Sequence, residues 1–260
     1  MRRLPLLLFL FVARPSTAIE GEITLAADWG RRFADSFNRL WPNLRKNLSE
    51  TIPAQHEHLE LLSEFVHLSA GFSLSPFYRH YFGTGLRYFF VPTTIRQQYI
   101  LANTTESWDL TLRGFVPFIH YRYYLLPTRK SLFLGVNVGL VFANMDLKLY
   151  SSFGEAKANF SQIMGLSLEV GSGYNLEFSD RLSLSFLIVM EIQRLDRIAG
   201  RAVAPGIGDF DVELYRVGDY LVPLDLTQGA TGNYSKAVLW NNQLRLGVAF
   251  LYRVGKISTT

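Results

Sequence analysis

What most constrains this chain is an alternation of period two that recurs along almost its whole length. In residues 132–143, Leu132, Leu134, Val136, Val138, Leu140 and Phe142 fall on one parity and Gly135, Asn137 and Gly139 on the other. Residues 243–252 set Leu244, Leu246, Val248, Phe250 and Tyr252 against Gln243, Arg245, Gly247 and Ala249. The same two-sided pattern fills 22–33, 62–74, 81–91, 162–176 and 181–193. Successive side chains alternate faces along a β-strand, so the chain predicts an all-β fold. Residues 108–124 carry apolar side chains on both parities. The preferred phase turns Phe115, Pro117, Ile119, Tyr121 and Tyr123 to the apolar side and Gly114, His120 and Arg122 to the other, because the reverse would put a histidine and an arginine in apolar surroundings.

The character of the two faces says what surrounds the sheet. A soluble sandwich also alternates, but its weaker face meets water and carries Lys, Glu and Thr. Here that face is Gly, Ser and Asn with an occasional charge. Small side chains suit the inside of a narrow barrel, and a continuously apolar face suits lipid. Backbone groups in lipid must all be paired internally, so strands cross a bilayer only as a closed barrel. The longest apolar stretch after the N-terminus, 132–145, is too short for a membrane-spanning helix.

Residues 1–18, MRRLPLLLFLFVARPSTA, read as a signal peptide: Arg2 and Arg3 are followed by an apolar run and the small-x-small site Ser16-Thr17-Ala18. The mature chain is expected to be 19–260, starting at Ile19. The formal charge of +4 then shrinks, because three of the 26 basic residues lie in this segment; 23 basic residues against 22 acidic ones leave +1, and no nucleic-acid partner is expected. A content of 48% hydrophobic and 14% aromatic residues excludes disorder, and the absence of cysteine excludes disulfide staples, thiolate metal sites and a lipid-anchored cysteine.

Connections alternate in length. Short ones rich in Pro, Ser and Asp lie at 75–80, 126–130 and 177–180, and long ones at 34–59, 92–107, 144–161 and 194–239. Short periplasmic turns and long extracellular loops predict an eight-stranded antiparallel transmembrane β-barrel with both ends periplasmic. The alternating stretch 211–217 would give ten strands if it joined the wall as a pair. Residues 34–49 space Phe37, Leu40, Trp41, Leu44 and Leu48 at helical intervals around Pro42, which fits either a short amphipathic helix on the outer leaflet or a loop packing its own apolar residues. Tyr78, Tyr81, Tyr121, Tyr123 and Tyr124 beside short turns, and Trp41, Trp108 and Trp240 toward the long loops, are expected to form interfacial girdles.

The segment Arg245-Leu246-Gly247-Val248-Ala249-Phe250-Leu251-Tyr252 resembles the assembly signal of bacterial outer-membrane barrels, polar-x-Gly-x-x-hydrophobic-x-aromatic on the last strand. Gly83-Thr84-Gly85-Leu86-Arg87-Tyr88-Phe89-Phe90 is also similar to small barrels of that kind, and the mature chain resembles the OmpA/OmpX-type eight-stranded proteins in pattern. The resemblance implies residence in the outer membrane, contact with its lipid and lipopolysaccharide, and recognition by the barrel-assembly machinery through Arg245, Gly247, Phe250 and Tyr252. The family's aromatic usually ends the chain, whereas Arg253 to Thr260 follow here. The likeness is architectural and does not fix a function.

The chemistry on the inward parity is a set of charges: Asp28, Arg87, Glu169, Glu191 and Arg245, joined by His67, His120 and Arg122. Closure would bring the first and last strands together, and with them Asp28 and Arg245. An uncompensated buried charge costs roughly 3–5 kcal/mol, so the set is expected to pair into a salt-bridge plug, with a narrow channel for small solutes as the alternative. His67-Leu68-Ser69 is superficially similar to the His and Ser pair of outer-membrane lipid A deacylases, yet both side chains fall on the lumen parity. His56 and His58 beside Glu57 and Glu60 lack a placed third metal ligand, and Gly83 and Gly85 do not open a phosphate-binding helix. No catalytic residue, cofactor or metal is expected. The reading is a non-enzymatic barrel with a structural or surface-interaction role, any extracellular ligand meeting the loops, 194–239 above all.

Overall fold

The computed structural model describes residues 15–32, 64–77, 79–99, 104–126, 131–151, 154–204, 206, 208–217, 220–225 and 235–258. Among these, every regular element is a strand: β1 (Pro15–Arg32), β2 (Glu64–Phe77), β3 (His80–Tyr99), β4 (Thr104–Tyr124), β5 (Leu132–Ser151), β6 (Gly154–Glu177), β7 (Leu182–Asp196), β8 (Ala199–Ala204), β9 (Gly208–Val217), β10 (Tyr220–Asp225), β11 (Ser235–Lys236) and β12 (Leu239–Ser258). Strands β1 to β7 pair in sequence, each antiparallel to the next, and β12 pairs with both β7 and β1. The sheet therefore closes on itself as a barrel of eight strands. The ten-strand alternative does not form, because β8 to β11 add to the upper half of β6 and leave the wall unbroken.

Register fixes the barrel's width. A path from Glu22 crosses Ser73, Gly83, His120, Asn137, Glu169, Glu191 and Gln243 and returns to β1 at Arg32, ten residues further on. Eight strands with that stagger tilt by about 40° and enclose a backbone cylinder of about 8 Å radius, which only side chains can fill.

Every wall strand turns its apolar parity outward. Ile119 is 67% exposed and Leu140 52%, whereas Glu191 and Arg245 are 0% and 1%. In β4 the outward residues include Phe115 and Ile119, with His120 and Arg122 buried, as the preferred phase requires. On β5 the outward band from Leu132 to Phe142 spans about 25 Å along the axis, the height of a bilayer's hydrocarbon layer seen on membrane barrels. With its backbone paired all round and its outer face apolar, the wall is that of a membrane-spanning barrel. The girdle differs in part from expectation. Tyr121 and Tyr123 lie on the outward parity, but Tyr81 and Tyr124 are buried in the lumen, where their rings stack edge to face at 5.2 Å. Trp240 and Trp29 face outward near the loop end. Trp41, Tyr78, the 34–49 segment and residues 1–14 lie outside the described residues, as does the side chain of Trp108.

The connections expected at 92–107 and 144–161 are largely strand. β3 runs to Tyr99 and β4 starts at Thr104, while β5 and β6 are separated only by residues 152–153, so both hairpins continue past the lipid-facing band. The 194–239 segment carries β8 to β11, with β9 paired to β8, β10 and β11. Near Met164, β6 exchanges its partner: β7 pairs with it below and β8 above. Together these strands make a dome with a dry core in which Phe89, Leu112, Phe160, Ile163, Ile198 and Leu239 are all buried. At its edge Glu213 accepts hydrogen bonds from Lys236 Nζ (2.9 Å) and Tyr215 OH (2.7 Å). Burial pushes the Glu213 carboxyl up, but these two bonds together with the charges of Lys236 and Arg197 outweigh it and hold the group below its ordinary value.

Candidate functional site: the lumen

The five inward charges meet on the barrel axis. Asp28 on β1 accepts from Arg245 Nη1 on β12 at 3.0 Å, the contact expected from closure. Arg245 also pairs with Glu169 on β6, and its Nη2 lies 3.5 Å from Glu191 on β7. Arg87 on β3 pairs with Glu169 and, at 2.6 Å, with Glu191. Charge is thus passed across the cylinder from strands on opposite sides of the wall. Arg245 Nη1 further donates to Nδ1 of the fully buried His67 at 2.9 Å. A guanidinium can only donate, so Nδ1 must accept, and a neutral His67 carries its proton on Nε2.

Uncharged polar side chains complete the set. Asn137 donates to Glu169. Ser167 Oγ donates to Glu191 at 2.5 Å and accepts from Arg87 at 3.1 Å. Gln193 Nε2 donates to Glu191 at 2.8 Å, and Gln193 Oε1 accepts from Asn241 Nδ2 at 2.7 Å. These partners sit on the same lumen parity as the charges, but Ser, Asn and Gln alternate with apolar residues in any half-solvated strand, so the sequence signal did not single them out. Ser69 is not the partner of His67; the two-residue spacing merely puts both on the lumen side. His56, His58, Glu57 and Glu60 lie outside the described residues.

A second polar layer lies nearer the turn end. Arg122 donates from Nη1 to Glu22 at 2.9 Å and from Nη2 to Thr24 at 2.9 Å and Ser73 at 3.3 Å. Ser73 Oγ also meets His120 Nε2 at 2.8 Å. Tyr81, Tyr124 and Phe133 pack against this layer. Ser73 fell on the inward parity of 62–74 without being singled out, and Glu22 escaped notice because its place at the start of the strand expected at 22–33 looked solvated. Between the two layers is a chamber of about 100 Å³, large enough to hold water. Arg87, Asp28 and Arg245 line it from one side, Arg122 and His120 from the other, with Gly71, Gly135 and Gly171 on its wall.

The residues of the C-terminal signal divide between the two faces. Phe250 and Tyr252 point outward into the lipid-facing band and Arg245 inward. Gly247 lies beneath Asp28: a Cβ there would collide with Asp28 Oδ1 and come 2.9 Å from Ala27 O. The glycine is therefore required by the charge network itself. Beyond Tyr252 the strand continues, with a one-residue bulge at Val254, to Ser258 opposite Ala18. Arg253 turns inward and latches the β6–β7 turn through Glu177 Oε1 (3.0 Å) and Asp180 O (3.1 Å).

No protein-family model and no curated protein matches the sequence. Among solved structures, the chain is similar to Ail, the attachment invasion locus protein of Yersinia pestis, crystallised with the heparin analogue sucrose octasulfate, at 8% identity and a TM-score of 0.38 over 90% of this chain and 99% of that one. It is similar to the transport unit of the autotransporter AIDA-I from Escherichia coli at 9% identity and a TM-score of 0.29, over 95% and 93% of the two chains. A deletion mutant of the monoaromatic hydrocarbon channel TodX aligns at 10% identity and a TM-score of 0.23, over 90% of each. The assignment of an eight-stranded membrane barrel rests on this chain's own strand pairing and its outward apolar band.

Proposed function

We propose that the chain is an integral barrel of the bacterial outer membrane, inserted after cleavage near Ala18, with a closed lumen and its interactions carried by the dome and loops. The observation that carries this reading is the stacking along the axis. A dry core lies over the Arg87–Glu169–Glu191–Arg245 network, and the Tyr81–Tyr124–Phe133 cluster lies under the Arg122 layer. Planar-bilayer recording of purified protein tests it: no regular openings are expected, and large uniform ones would overturn it. The second reading, a narrow channel for small solutes, has the polar chamber in its favour.

In this reading the partners are outer-membrane lipid and lipopolysaccharide around the band, the barrel-assembly machinery at Phe250 and Tyr252, and an extracellular ligand at the dome. The role is non-enzymatic. The Ser73–His120 contact lies inside the lumen, away from the bilayer in which a lipid substrate would sit. Incubation with lipid A followed by mass analysis checks this, and a cleaved product would overturn it.

A further inference from the structure

The outward faces of β2 to β5 are without charge across the lipid-facing band. Reading toward the turn end, β3 presents Leu86, Thr84, Phe82 and His80, and β4 presents Ile119, Tyr121 and Tyr123. The apolar ladder thus ends in a polar one, Phe82 opposite Tyr121 and His80 opposite Tyr123. The His80 ring nitrogen Nδ1 lies 2.9 Å from Tyr121 OH, and the His80 and Tyr123 rings are 5.1 Å apart. Among the described residues, the first cation met on this face is Arg79. It stands in the β2–β3 turn at a φ of 72°, a conformation that favours glycine. Turn geometry alone therefore does not account for an arginine there. Its Nη1 reaches across to Leu125 O at 3.3 Å, which holds the guanidinium over the base of β4. Phe77, Leu125 and Leu126 are exposed beside it, so the turn sits at the boundary between acyl chains and headgroups.

One cation, two phenols and an imidazole, with no carboxylate on the same described face, is a donor set for a phosphate at the depth where headgroup phosphates lie. We propose that the turn-end base of the β3–β4 pair binds the phosphate of a membrane phospholipid. Arg79 and the hydroxyls of Tyr121 and Tyr123 hold the headgroup, and the acyl chains lie along Phe82, Leu86 and Ile119. The site needs only the membrane barrel and is independent of whether the lumen conducts.

The test is native mass spectrometry of the folded protein released from detergent, after titration with phosphatidylglycerol, phosphatidylethanolamine or diacylglycerol. Both phospholipids should be retained and diacylglycerol not. Arg79→Ala should cut phospholipid retention about tenfold, the loss of one charge-assisted hydrogen bond. Arg79→Lys should keep part of it, and Arg181→Ala at another turn should leave it unchanged. Should Arg79→Ala not fold, as judged by heat-modifiable gel migration, the Tyr121→Phe/Tyr123→Phe pair carries the test with a several-fold loss. Retention by Arg79→Ala, or by the folded tyrosine pair, equal to that of the unsubstituted protein overturns the proposal, as does equal retention of diacylglycerol.

Discussion

Replacing Arg245 by methionine probes the lumen most directly. The side chain is 1% exposed and touches Asp28, Glu169, Glu191 and His67. Its removal leaves three buried carboxylates around one guanidinium, that of Arg87. Breaking a buried ion pair by removing one partner costs about 3–5 kcal/mol, because the abandoned charge stays desolvated. Methionine keeps much of the aliphatic stem, so the loss reports charge rather than volume. The measurement is urea unfolding in lipid vesicles, followed by tryptophan fluorescence, with heat-modifiable migration as the check on the folded start. Arg245→Met should lower the unfolding free energy by about 3–5 kcal/mol. Adding Asp28→Asn should restore about 1–2 kcal/mol by removing one unmatched charge. An Arg245→Met unfolding free energy within about 0.5 kcal/mol of the parent would refute the account of Arg245 as the hub of a buried network.

Further outcomes follow from other parts of the molecule. Gly247→Ala should destabilise the barrel by about 1–3 kcal/mol, because the new methyl meets the Asp28 carboxylate; the same unfolding assay reads it. Val138→Lys, on the outward face of β5, should cost about 2–4 kcal/mol in vesicles, and a neutral effect would place that face away from lipid. The Glu213 carboxyl is held low by Lys236 and Tyr215, so its stabilisation is present above its ordinary value near 4.5 and is lost as pH falls through the folded value. Protection factors at 208–217, corrected for the intrinsic pH dependence of amide exchange, should therefore fall as pH drops through the folded value, and Glu213→Gln should remove that dependence.

Alternation made the wall legible, because lipid outside and a narrow lumen inside impose opposite demands on neighbouring residues. Leu140 and Gly139 answer those demands in adjacent positions. The contrast fades where both environments become apolar. Leu110, Leu112 and Val116 face the dry core of the dome while Phe115 faces outward, which is why 108–124 reads as hydrophobic on both parities. Beyond the lipid, Lys148, Lys157 and Asn159 stand on strands whose outer face meets water, so the hairpins at 92–107 and 144–161 carry too weak a pattern to distinguish from loops. The charge network was legible as a set, since charges are rare on lumen faces, and the Asp28–Arg245 contact follows from closure alone. Its partners on other strands were not, because register around the barrel depends on a ten-residue stagger that no single strand displays. The inward turn of Tyr81 and Tyr124 was hidden for a related reason: a tyrosine one residue from a turn satisfies either face.

The partner exchange along β6 has a mechanical consequence. β6 is one strand from Gly154 in the dome to Glu177 at the turn end, and it pairs with β5 from Gly154 to Tyr174 apart from an irregularity at 161–162. A force on the dome directed along the barrel runs nearly parallel to that ladder. The load is then shared as shear across many hydrogen bonds at once, instead of peeling them one after another as at a free hairpin. The top of β6 is thus built into the wall as a spar, and a force applied to it there is delivered to the barrel through the β5–β6 ladder.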